Sequence, residues 1–63
     1  MNDSEKEIYE INIQNVASSV AAEYSDEVVT SVFERYGASR LHDLAPAYYG
    51  EVFADLEMIA ADN

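Results

Sequence analysis

Read from its first residue, the chain is polar through "MNDSEKE" and then alternates, with Tyr9, Ile11 and Ile13 separated by Glu10 and Asn12. A period of two is the pattern of a half-buried strand, but one strand has no pairing partner in so short a chain. The stretch therefore reads as an extended lead-in behind residues 1–7, which should fray. It reaches Asn12, whose side-chain oxygen can cap a first helix beginning at Ile13. From there Ile13, Val16, Ala17, Val20, Ala21 and Tyr24 recur at intervals of three and four, which makes one apolar stripe.

Ser25, followed by Asp26 and Glu27, is a second start signal: a hydroxyl cap and two carboxylates at the positive end of a helix dipole. Val28, Val29, Val32, Phe33 and Tyr36 supply the apolar face of helix two, predicted over about Asp26 to Tyr36. Gly37 ends it, because glycine adopts the left-handed cap conformation without steric cost. Ser39 can cap a short turn over "RLHDL". Pro46 suits the first position of a third helix, where its missing amide hydrogen would have been unpaired anyway. Tyr49, Val52, Phe53, Leu56, Ile59 and Ala60 carry that helix to about Ala61. The expected architecture is all-α, a small three-helix bundle with an additional short helical turn, forming one domain over residues 1–63.

Composition sharpens the picture. A chain of 63 residues buries only about 60% of the surface its unfolded form exposes, so stability should be marginal. It has no cysteine, which excludes a disulfide framework and a thiolate zinc site. Hydrophobic residues make up 49% of the chain, too many for a disordered acidic tail. No apolar run approaches the roughly 18 residues that span a bilayer, and the acidic, polar start is unlike a signal peptide; the expected address is the cytoplasm. Thirteen acidic against three basic residues give a net charge of −10. Such a surface repels nucleic acid and anionic lipid and attracts basic proteins, although charge can also serve solubility alone.

The stretch "ERYGASRLHDLAP", Glu34 to Pro46, gathers two of the three basic residues, the single histidine and the single proline. It invites an active-site reading. Gly37, Ser39 and Pro46 are instead the stop, cap and restart of a helix connection. His42 and Asp43, adjacent on a turn, diverge, and spacing places no nucleophile beside them. No metal-ligand spacing is present, so neither a catalytic residue, a cofactor nor a metal is expected. Arg35 and Arg40 fit phosphate, but with Glu34 and Asp43 nearby they read as salt-bridge partners holding the joint.

The carboxylates form the most specific pattern. On a helix, Glu51, Asp55 and Asp62 fall within about 40 degrees of one another, with no basic residue opposite, and Glu27 and Glu34 share one side of helix two. These rows resemble the phosphate spacing of a nucleic-acid strand; a merely solvated face is the alternative. Tyr24, Tyr36 and Tyr49 read as core. Tyr9 and Tyr48 lie off the apolar stripes, where an exposed ring can anchor an interface.

The segment "VFERYGASRLHDLAPAYYGEVFADLEMIAAD", Val32 to Asp62, resembles short acidic helical proteins of bacterial plasmids, integrative elements and prophages, through its Arg-Tyr-Gly-Ala joint, its Asp-Leu-x-Pro start and its aromatic, acidic last helix. In size, charge and helical content the chain is also similar in type to anti-CRISPR proteins and other DNA-mimic inhibitors. That resemblance implies a non-enzymatic inhibitor of a basic host protein, such as a CRISPR effector subunit, which binds neither nucleic acid nor membrane itself and is a monomer or weak dimer. The expected partner-binding residues are Glu51, Asp55, Asp62, Glu27, Glu34, Tyr9 and Tyr48. The other reading is a regulatory or structural module that binds a protein through an apolar helix face.

Overall fold

The computed structural model describes residues 1–62. Among them, helix α1 spans Asp3–Glu23, α2 spans Asp26–Glu34 and α3 spans Tyr49–Ala61, with 3₁₀ turns at Leu41–Asp43 and Pro46–Tyr48. This is the expected three-helix bundle. The second 3₁₀ turn runs straight into α3, so Pro46 does open the third helix, through a tightened first turn closed by the Tyr48 amide on the Ala45 carbonyl at 2.9 Å.

The start of α1 corrects the reading of the N-terminal stretch. The helix does not begin at Ile13 under an Asn12 cap; it begins at Asp3, and residues 3–7 form its first turns. Asn2 is the cap. Its side chain accepts from the Glu5 amide at 2.8 Å, and the Glu5 carboxylate accepts in return from the Asn2 amide at 3.4 Å. This reciprocal pair satisfies two amides that a helix start leaves open, and Asp3 and Glu5 also sit at the positive end of the dipole. The apparent alternation then resolves into helical faces. Tyr9 and Ile13, four apart, both turn inward, while Ile11 points outward and is 57% exposed.

The core is small and entirely apolar apart from one tyrosine hydroxyl. Ile13, Val16 and Val20 from α1 meet Val32 and Phe33 from α2 and Tyr49, Val52 and Leu56 from α3, with Ala38 and Leu44 closing it from the connection. Among the described residues no charged side chain is buried. Tyr49 is core as expected, and Tyr36 is half-buried against it. Two tyrosines differ from expectation. Tyr24 lies at the end of α1 beyond the stripe's last turn, is 47% exposed, and donates its hydroxyl to the Asp62 carbonyl at 3.0 Å, tying together the C-terminal ends of α1 and α3. Tyr9 is half-buried, its ring 6.4 Å from that of Tyr49 and its hydroxyl beside Gly50.

The joint works as its residues imply, with one exception. Gly37 has φ +78°; its amide reaches the Glu34 carbonyl and the Ala38 amide reaches the Phe33 carbonyl, both at 3.2 Å. These are the two bonds of a Schellman termination, and they seat Ala38 in the core beside Phe33. Ser39 does not cap the following turn. Its hydroxyl donates to the Asp43 carboxylate at 3.0 Å, and the same carboxylate oxygen lies 3.8 Å from Arg40.

The two glycines make opposite predictions. A β-carbon at Gly37 meets nothing within 4 Å, so Gly37→Ala costs only the left-handed conformation, about 1 kcal/mol. At Gly50, inside α3, a β-carbon would stand 3.6 Å from the Tyr9 hydroxyl, an ordinary contact, so Gly50→Ala should stabilise by about 0.5 kcal/mol through helix propensity. Urea unfolding of both variants checks the pair, and two shifts of the same sign would contradict this account.

Candidate protein-binding surface

All of the acidic side chains except Glu10 and Asp55 are exposed. Glu27 and Glu34 stand in water on α2, and Glu51 and Asp62 on α3. The carboxylates that the sequence singled out are thus on the surface, but the row on α3 is not uniform, and it does face a basic residue. Asp55 is taken up by α2: its Oδ2 accepts the Tyr36 hydroxyl at 2.6 Å and lies 3.7 Å from the Arg35 guanidinium. Arg35 therefore pairs across to α3, and Arg40 pairs within the joint with Asp43 at 3.8 Å.

This changes the role of Asp55. A carboxylate shared between a phenol and a guanidinium is a clamp between α2 and α3, and part of its negative charge is spent inside the fold. The hydrogen bond to Asp55 raises the Tyr36 pKa above its ordinary 10.0, with burial and the negative charges of Asp55 and Glu51 acting in the same direction and Arg35 against them. Burial likewise raises that of Tyr49, with Glu10 adding to it.

Of the two tyrosines proposed as anchors, Tyr48 is 42% exposed and its ring packs at a tilt of 39° against that of Tyr36, the centroids 5.3 Å apart. It forms an aromatic step beside the clamp. Tyr9 is committed to Tyr49 and Gly50 and offers only part of its ring. His42 is exposed on the 3₁₀ turn, and the carboxylate of neighbouring Asp43 is engaged by Ser39 and Arg40. Among the described residues, no group of three or more His, Asp or Glu side chains could hold a metal ion, and no helix is long and apolar enough to cross a membrane.

Three large apolar side chains exposed on the helices were not picked out from the sequence. Met58 is 72% exposed; three residues after Asp55 and four before Asp62, it shares the outward side of α3 with the acids. Ile8 and Ile11 are 58% and 57% exposed on α1. A wheel drawn from Asp3 would have exposed the isoleucines, but one drawn from Ile13 leaves them in the lead-in.

No family model, curated protein or solved structure matches the chain. The reading of this surface rests on its own chemistry.

The clamp predicts a titration. Asp55→Asn removes the charge that holds the Tyr36 proton, so Tyr36 should ionise closer to 10.0. A phenol whose pKa is raised on folding contributes stability that is complete below its unfolded pKa and lost as pH rises through the folded one. The wild type should therefore lose stability above about pH 10 more steeply than Tyr36→Phe. Absorbance titration of the tyrosinates and urea unfolding across that range measure both effects; identical curves for wild type and variants would exclude the clamp.

Proposed function

We propose that this chain is a non-enzymatic inhibitor that occupies the basic, nucleic-acid-binding surface of a bacterial host defence complex, such as a CRISPR effector, and keeps DNA from it. One observation carries the reading: a net charge of −10 on a bundle that, among the described residues, buries no charged side chain. Apart from the half-buried Glu10 and Asp55, the helices hold their carboxylates exposed on a packed core, and both arginines are committed to carboxylates of the same chain. The surface field is therefore negative and preorganised, which speeds encounter with a cationic groove and favours it over other partners. Glu27, Glu34, Glu51 and Asp62 present their charge to water; Asp55 contributes by fixing α3 against α2. Tyr48 and Met58, beside those acids, add apolar contact, which charge alone does not supply.

A second reading, a protein-binding module acting through an apolar helix face, is favoured by the exposure of Ile8 and Ile11 on α1. The two separate by their response to salt, because screening weakens a charge-led complex and barely changes an apolar one.

The test captures partners from a bacterial lysate on the immobilised protein. The complex should be released by about 0.5 M NaCl and by duplex DNA, and the variant Glu27→Gln/Glu34→Gln/Glu51→Gln/Asp62→Asn should bind at least about ten-fold more weakly. A captured partner that resists both salt and DNA, and binds wild type and variant alike, would rule out the mimic.

A further inference from the structure

The exposed ring of Tyr48 is braced from behind. It packs against Tyr36, the centroids 5.3 Å apart, and still leaves 42% of its residue surface open to solvent. A ring held in one orientation loses little freedom when a partner covers it. Glu51 follows three residues later in the first turn of α3, so it neighbours Tyr48 on the helix surface. Its carboxylate is exposed, and its charge is felt at the Tyr36 hydroxyl, whose pKa it helps to raise. Asp55 comes four residues after Glu51, and the Tyr36 hydroxyl joins it to the ring pair at 2.6 Å. An open ring face bordered by carboxylates attracts a cation twice, through the negative face of the π-system and through the full charges beside it.

The fold itself supplies an example of the cation. Arg35 reaches the cluster from α2, where its guanidinium stands 3.7 Å from Asp55 Oδ2. That separation is too long for a hydrogen bond, and 58% of the Arg35 side-chain surface stays exposed. The pair is loose and easily exchanged. The contact between α2 and α3 survives its departure, because the Tyr36 hydroxyl still holds Asp55.

Taking the partner to be basic, as proposed above, we infer that Tyr48, Glu51 and Asp55 receive one of its arginine side chains, and that Arg35 keeps the place in the free protein. The incoming guanidinium lies on the open face of Tyr48 and turns its donors to Glu51, while Asp55, released by Arg35, adds its charge. Arginine is favoured over lysine because its planar, weakly hydrated group stacks on a ring and still donates in its own plane to a carboxylate. An ammonium group must shed more tightly held water to do either.

Calorimetric titration of the full chain with hexa-arginine and with hexa-lysine, at roughly 0.05 M NaCl, tests the site. Tyr48→Phe should bind hexa-arginine like the wild type. Tyr48→Leu should bind it at least about five-fold more weakly and lose less affinity for hexa-lysine, so that the preference for arginine shrinks. Arg35→Gln and Arg40→Gln each remove one positive charge, but Arg40 lies over the groove between α1 and α2, beside Ser18 and Asp26. Only Arg35→Gln clears the place, so its affinity for hexa-arginine should exceed that of Arg40→Gln at least about three-fold. Circular dichroism of each variant reads helix content alongside. Hexa-arginine binding indifferent to Tyr48→Leu, an equal loss for both peptides, or equal affinities for the two glutamine variants would overturn the arginine site while leaving the acidic surface able to bind a basic partner. Failure of both peptides to bind the wild type would remove the basic partner as well.

Discussion

Everything in this molecule depends on the burial of one stripe of α1. Ile13, Val16 and Val20 are the residues against which α2, α3 and the joint all close, and no disulfide or buried ion pair shares the task. A chain of this size has a single thin core, and the folded state is held by a few kilocalories per mole at most above its loss of conformational entropy. The chain responds by filling that core with β-branched, leucine and aromatic side chains and by keeping charged side chains out of it. Stability and surface charge are two sides of one partition.

That partition has an electrostatic cost. With thirteen carboxylates against three cations, the compact state repels itself, and two ion pairs among the described residues, Arg35 with Asp55 and Arg40 with Asp43, offset the repulsion locally. Both stand where the chain reverses or where helices meet. The Arg35–Asp55–Tyr36 cluster fixes α2 on α3, and the Ser39–Asp43–Arg40 cluster stiffens the joint. Cations are thus concentrated at the mechanically weak points, which leaves the outer carboxylates unneutralised. A surface needed only for solubility could have interspersed lysines among those acids at no cost to the fold.

Helices α2 and α3 were legible in the sequence because their signals are local and strong. Ser25 before two acids, Gly37 after Tyr36 and Pro46 ahead of an apolar period each carry a mechanical meaning that tertiary packing did not override. The first half of α1 was not legible in the same way. Its apolar residues are few and lie on two faces, Tyr9 toward Tyr49 and Ile8 and Ile11 toward solvent, so a helix imitates the alternation of a strand. The Asn2–Glu5 capping pair was the signal that could have settled it. The acidic rows were visible as a helical wheel, but the engagement of Asp55 was not, because Arg35 and Tyr36 reach it across a helix contact that no sequence spacing encodes. For the same reason the exposure of Tyr24 and the packing of Tyr9 appear only once the helix ends are placed.

The central claim is that the charge of this protein is displayed for recognition and opposes the fold that carries it. The most direct measurement is the unfolding free energy in urea as NaCl rises from about 0.02 to about 0.5 M, over which screening removes most long-range repulsion. The account predicts that stability increases steadily with salt while helix content stays constant. Stability that falls with salt would mean that the charges hold the bundle together, and would contradict it.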